Sequence, residues 1–237
     1  MSAKKRGIWV FGDYRNYFQN RVTLQLLSRA QELAKKIDGE VCAVVFGHEV
    51  DEYVGEYIAH GAEKIYLTKH PDLKHYSMEI YTFLMERLAR RENPAIILIG
   101  ATSFGREFAP RVAKRLGTGL TADCIGLDIN EEGLLVQMAP SFGGNLVAEI
   151  VTPERRPQMA TVRPGTFQEI PHNYVRTGEV VRKPMPENLP AGRVRLIRSE
   201  RFPQRGGDSR MRRSSYAAAA GWGARKSSRN SLNWPSS

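Results

Sequence analysis

Ala95–Gly117 reads AIILIGATSFGREFAPRVAKRLG. It opens on a short, wholly apolar run, turns through Gly100-Ala101-Thr102-Ser103, and continues as an amphipathic stretch that Gly117 closes. Strand, tight loop and helix follow in direct succession. A short apolar run bounded by turn residues is how a buried parallel strand reads.

The same unit recurs toward the N-terminus. GIWVFGD is an apolar run stopped at Gly12-Asp13. TLQLLSRAQELAKKI then sets Leu26, Ala30, Leu33 and Ile37 at helical spacing, with Arg29, Glu32 and Lys36 opposite. Asp38-Gly39 ends that helix, and EVCAVVFG supplies a second strand. A short helix over residues 54–60 leads through Gly61 to KIYLT, a third. Ser77 stands where it can cap a helix striped by Tyr81, Leu84, Met85 and Leu88, which Asn93-Pro94 closes. Such alternation predicts an α/β fold: a mostly parallel, doubly wound sheet with helices on both faces. After Gly117 the helices stop. ADCIGLDI, LLVQMAP, LVAEIVT and QMATVRP are short apolar runs separated by turns. They predict late, partly antiparallel strands that complete the sheet or form an attached layer. Residues 171–190 are polar and carry four prolines, the composition of a linker.

Composition narrows the function classes. The 237 residues carry a net charge of +10, but residues 201–237 hold eight Lys/Arg and one acid. The first 200 residues therefore hold 27 basic and 24 acidic side chains, close to neutral. A folded part this balanced argues against a nucleic-acid partner, whose electrostatic footprint is a basic face. No run is long enough to span a bilayer, and the start lacks the apolar core of a signal peptide, so no membrane insertion and a cytoplasmic location are expected. Cys42 and Cys124 both sit in apolar runs and are expected as reduced, buried thiols. His48, His60, His70, His75 and His172 show no metal-ligand spacing, and none pairs visibly with a nucleophile. No metal and no catalytic constellation are expected.

Two motifs invite a ligand. GATSFGRE joins a strand to a helix N-terminus, where backbone N–H groups favour an anion. Arg106-Glu107 stands where a P-loop needs Lys-Ser/Thr, and a capped helix with small residues for close packing explains the same letters. GTGLTA imitates a dinucleotide fingerprint but follows a helix rather than a strand. The second motif is a set of turns at strand ends, Gly143-Gly144-Asn145 and Arg163-Pro164-Gly165. Thr121, Asp123, Asn145 and Arg163 there either face a partner or ligand or stabilise their own loops.

Taken in order, GATSFGREFAPRVAKRLGTGLTAD, TGLTADCIGLDI, FGGNLVAEI and PQMATVRPGTF resemble the alpha subunit of the electron transfer flavoproteins, over residues 7–167. The resemblance implies an N-terminal α/β domain of the adenine-nucleotide-hydrolase kind over residues 1–170. A linker and the start of a second domain would follow over 171–197. It implies an electron carrier rather than an enzyme, working as a heterodimer with an electron transfer flavoprotein beta subunit. Electrons would come from flavin dehydrogenases, or from NADH in bifurcating relatives, and pass to an acceptor oxidoreductase. FAD would sit in the second domain, so Thr121, Asp123, Asn145 and Arg163 would be partner-interface or flavin-proximal groups rather than the cofactor's own ligands. The alternative from the residues alone is a small adenine-nucleotide-binding α/β protein that uses the GATSFGRE loop.

Residues 198–237 depart from that pattern. The family continues as V-V-x-G-G-R-G-M, then S-K-E-x-F, then a helix ending E-L-A. This chain instead reads SSYAAAAGWGARKSSRNSLNWP. Reading each codon's last base with the next two resolves the difference. Trp222 into Gly223 then gives Gly, Asn233 into Trp234 gives Leu, and Trp234 into Pro235 gives Ala. Gly221 into Trp222 gives Met, Leu or Val. The shifted reading admits C-G-G-R-G-M-G-S-K-E-E-F-E-E-L-T-E-L-A. A one-base slip between about residues 198 and 213 is therefore expected, leaving a basic, disordered tail and a truncated subunit that does not hold FAD alone.

Overall fold

A computed structural model describes residues 6–190, with Val194 and Ile197. The described elements belong to a compact unit that ends at Arg195. The calls of a disordered tail and of an out-of-frame segment over 198–237 lie outside the described residues.

The chain runs β1 (Arg6–Phe11), α1 (Tyr17–Lys36), β2 (Gly39–Gly47), α2 (Asp51–Ala59), β3 (Lys64–Lys69), α3 (Met78–Glu92), β4 (Ile96–Gly100) and α4 (Ser103–Leu116). It continues through β5 (Leu120–Cys124), β6 (Gly126–Ile129), β7 (Leu135–Ser141), β8 (Leu146–Ile150), β9 (Gln158–Val162) and β10 (Glu179–Arg182). Seven strands form a parallel sheet in the order β10-β3-β2-β1-β4-β9-β5, and β6-β7-β8 form an antiparallel sheet. The expected α/β architecture with late antiparallel strands is what forms.

The continuous apolar strands follow from burial on both faces. Ile8, Val10, Val41, Ala43, Val45, Ile96 and Leu98 face α1, α2 and the small sheet. The alternate residues Trp9, Phe11, Cys42, Val44, Phe46, Ile97 and Ile99 face α3 and α4. Helix limits follow from local chemistry. Asn16 caps α1 by accepting from the Gln19 N–H at 2.9 Å, so the helix begins at Tyr17, six residues before the predicted start. Asn93 ends α3 in the left-handed region. Ser77 stands at the N-cap of α3, yet its hydroxyl makes no capping bond.

Two assignments were not legible in the sequence. ADCIGLDI divides at Ile125 into β5 of the large sheet and β6 of the small one. A register shift between Thr121 and Cys124, with Asp123 at φ 57°, turns the chain from one sheet to the other. The polar stretch after Pro171 returns to the large sheet as β10. It is held by the Glu179 N–H donating to the Glu63 carbonyl at 2.9 Å and by Lys183–Glu92 at 2.8 Å.

Candidate functional site

The order of strands reverses between β1 and β4, and ligands of open α/β sheets collect at the carboxyl ends of the strands there. In this chain the crevice is filled by its own side chains. Asp13, directly after β1, is 4 % exposed. Its carboxylate accepts from Arg15 Nε at 2.8 Å and from Thr102 Oγ1 at 3.1 Å, while its N–H donates to Thr23 Oγ1 at 3.0 Å. Arg15 lays its guanidinium 3.3 Å from the centroid of Phe104, with Tyr76 beyond. Tyr14 reaches across to donate to the Phe46 carbonyl at 2.9 Å. Gly47 permits this, since a Cβ there would meet the Tyr14 hydroxyl at 1.9 Å.

The GATSFGRE loop completes the plug. Thr102 Oγ1 accepts from the Gly105 N–H at 3.1 Å, capping α4. A Cβ on Gly105 would lie 1.8 Å from the Gly100 carbonyl oxygen, so the glycine is there for close approach of helix and strand. Capping and packing therefore explain this motif. Asp13 and Arg15 are the residues that sequence reasoning missed. The signal was Asp-Tyr-Arg immediately after the first strand.

Two of the four predicted site residues meet at the far edge of the large sheet, with a third nearby on β5. Arg163 donates to Asp123 Oδ2 from Nη2 at 2.7 Å and from Nε at 3.2 Å. The Asp123 N–H donates to Thr161 Oγ1 at 2.9 Å, and the Arg163 N–H donates to the Cys124 carbonyl at 2.9 Å. The ion pair raises the Arg163 guanidinium above its ordinary value, chiefly through the hydrogen bond to Asp123. Thr121 lies buried two residues away on β5, opposite Ala160 of β9. Asp123, Ala122, Leu120, Arg106, Pro110 and Thr161 line a pocket of about 280 Å³. Asn145 is not part of this group. It follows the Phe142–Gly144 turn between β7 and β8, exposed, and among the described residues it forms no hydrogen bond.

The hairpin that carries Asn145 exposes several apolar side chains. Leu146 is 59 % and Val147 54 % exposed, and Ile150 and Val151 are exposed on the same strand and just after it. Sequence reasoning placed the strand but missed its exposure. The signal was an apolar residue at almost every position of LVAEIV, where a strand with one wet face would alternate.

The remaining titratable groups are structural. Cys42 and Cys124 are free and buried, as expected. Burial pushes Cys124 up to about 11 and Cys42 further, so neither is a thiolate at neutral pH. His60 is nearly buried against the Glu56 carbonyl, and His70 Nδ1 accepts from the Asp72 N–H. Among the described residues no group of three His, Cys, Asp or Glu could hold a metal ion. Among the same residues no helix is long and apolar enough to cross a membrane.

The switch-point crevice, where a doubly wound fold seats a ligand, holds Tyr14, Arg15 and the Asp13–Thr102 bond. The pocket at Asp123 is smaller than the roughly 300–1,000 Å³ used for drug-sized ligands, whereas hollows of about 520 Å³ beside Lys35, Glu63 and Arg176 and of about 400 Å³ beside Arg91, Asn93 and Arg156 fall within that range.

Fold and site together define a doubly wound α/β domain whose switch-point crevice holds its own side chains and whose apolar hairpin is exposed. The electron transfer flavoprotein domain matches residues 8–188. The chain is 45% identical over 177 residues to the electron transfer flavoprotein subunit alpha of Thermoanaerobacterium thermosaccharolyticum, covering 75% of this chain and 54% of that protein. It is 43% identical over 172 residues to the corresponding subunit of Clostridium acetobutylicum, covering 72% and 51%. Against the lactate dehydrogenase (NAD(+),ferredoxin) subunit LctC of Acetobacterium woodii it is 43% identical over 162 residues, covering 68% and 39%. The chain belongs to the electron transfer flavoprotein family, on its alpha-subunit side, and spans about half the length of the curated relatives it matches.

Proposed function

We propose that this chain is the partner-holding half of an electron transfer flavoprotein alpha subunit. It docks an electron transfer flavoprotein beta subunit and does not itself seat the FAD. Family membership supplies the carrier role: electrons pass from flavin dehydrogenases, or from NADH in a bifurcating assembly, to an acceptor oxidoreductase in the cytoplasm. Residues 1–170 form the scaffold domain, and 171–197, whose β10 pairs back onto β3 of the same sheet, make the connection to a flavin-bearing domain. The stretch over 198–237 is an out-of-frame reading of that domain's start.

The observation that carries this reading is the pairing of a sealed crevice with an exposed apolar hairpin. Asp13 is held by Arg15 and Thr102 where a nucleotide would bind. Leu146 and Val147 stand in solvent where a lone domain gains nothing from them. Asp123 and Arg163 hold the turn at the end of β5 that leads to the small sheet. The sealed crevice also weighs against a free-standing adenine-nucleotide-binding protein.

The test is co-expression with the beta subunit of the same organism, followed by sedimentation. A 1:1 complex is expected. A chain that sediments alone, with the beta subunit present in excess, contradicts the proposal.

A further inference from the structure

The amino ends of the strands, opposite the switch-point crevice, leave open the hollow of about 400 Å³. Backbone bonds join three strands there. The Ala95 N–H donates to the Gly7 carbonyl at 2.9 Å, and the Gln158 N–H donates to the Ala95 carbonyl at 2.9 Å. Ile37, just past α1, and Gly133, in the turn between β6 and β7, line one part of it. Arg91 and Asn93 at the end of α3 and Arg156 just before β9 line another.

One buried polar side chain borders this space. Gln158 is 1 % exposed, and its Oε1 accepts from the Leu135 N–H at 2.9 Å. Its Nε2 forms no bond among the described residues. Unlike the amide of Gln137, which is shut in without a partner, that of Gln158 borders an open hollow. An idle buried donor is costly, and an acceptor in the hollow relieves that cost.

The rim supplies positive charge. Arg156 Nη1 donates to the carbonyls of Thr152, Pro153 and Arg155 at 3.1, 3.1 and 2.8 Å, which fixes the guanidinium. Its Nε–Nη2 edge, the fork that matches a carboxylate or a phosphate, forms no bond among the described residues. Arg91 is 74 % exposed and lies 3.8 Å from the Glu92 carboxylate. Glu92 is met by Lys183 at 2.8 Å and by the Tyr66 hydroxyl at 3.3 Å, so it does not cancel the two arginines. Ile37, Pro94 and Ile96 make the rest of the lining apolar.

We propose that this hollow binds a small organic oxyanion, a carboxylate or a phosphate carried on a short apolar body. The Arg156 fork takes the anion, the Gln158 amide donates to one of its oxygens, Arg91 adds charge at the rim, and the body lies against Ile37, Pro94 and Ile96. The lining belongs to this chain alone, so the site stands whether or not a beta subunit binds.

The test is titration of the full chain with benzoate, phenyl phosphate and inorganic phosphate, followed through the side-chain amide resonances. Benzoate or phenyl phosphate is expected to bind saturably, more tightly than inorganic phosphate, and to shift the Gln158 Nε2 protons. The tighter of the two identifies the anion, and added salt should weaken it. Arg156→Gln should lower that affinity at least about tenfold and Arg91→Gln about threefold. Arg156→Lys keeps the charge without the fork and should lose nearly as much as Arg156→Gln. Should Arg156→Gln fail to fold, Arg156→Lys and Arg91→Gln carry the comparison. Four results each overturn the proposal: no saturable binding of either organic anion, a Gln158 resonance that stays in place, inorganic phosphate binding as tightly as phenyl phosphate, or variants that bind like the parent chain.

Discussion

Asp13 shows how a single residue determines what the crevice can hold. A carboxylate that is 4 % exposed must have partners, and Arg15 and Thr102 provide them. Thr102 serves twice, as acceptor for the α4 cap and as donor to Asp13, so Thr102→Val removes both. The expected cost is about 1–3 kcal/mol in a chemical denaturation experiment, against a few tenths for Thr102→Ser. Gln137 presents the opposite case. It is fully buried on β7, and neither its Nε2 nor its Oε1 has a partner among the described residues. Gln137→Met keeps the volume and removes the orphan amide, so a gain of about 1 kcal/mol is expected. A loss would mean that the amide is satisfied in solution. Neither role was legible in the sequence. An Asp just past a strand acquires its meaning from Thr102, 89 positions away, and a mid-strand Gln gives no sign that its amide will be buried without a partner.

The elements divide into those that local chemistry specifies and those that only the finished sheet specifies. Strands β1 to β4 and helices α1, α3 and α4 were readable because double-sided burial imposes unbroken apolar runs and one-sided burial imposes a helical stripe. β10 was not. Glu-Val-Val-Arg after a proline-rich approach has the composition of a linker, and becomes a strand because the edge of β3 offers it backbone partners. Val180 and Val181 then pack against opposite cores. A chain ending at Arg176 should accordingly unfold at a lower denaturant concentration than one ending at Pro190, and equal midpoints would reduce β10 to an ornament. The site divides in the same way. Asp123 and Arg163 pair because turn residues fall at the ends of β5 and β9. Asn145 carries the same turn signal but stands in the turn before β8.

At the scale of the molecule, burial governs the response to pH. Desolvation raises Tyr57, Tyr66, Tyr76, Tyr81 and Cys42, and holds Cys124 near 11 against an ordinary 9.0. A group raised on folding stabilises the fold fully below its unfolded value, and that contribution is lost as pH rises toward the folded value. Stability should therefore fall from about pH 9 upward, and a urea midpoint that stays flat to pH 11 would contradict the assignment. The gene makes a further prediction for the stretch beyond residue 198. Resequencing from the codon of Ala191 is expected to find that one restored base opens a frame reading G-G-R-G-M, and an unchanged frame with nothing family-like following it would refute the slip. The central claim is that the folded domain seats a partner rather than a flavin. Its most direct test is the visible absorption spectrum of the purified full chain after incubation with excess FAD and gel filtration. The spectrum is predicted to show far less than one flavin per chain, whereas flavin bands at one equivalent would contradict the account.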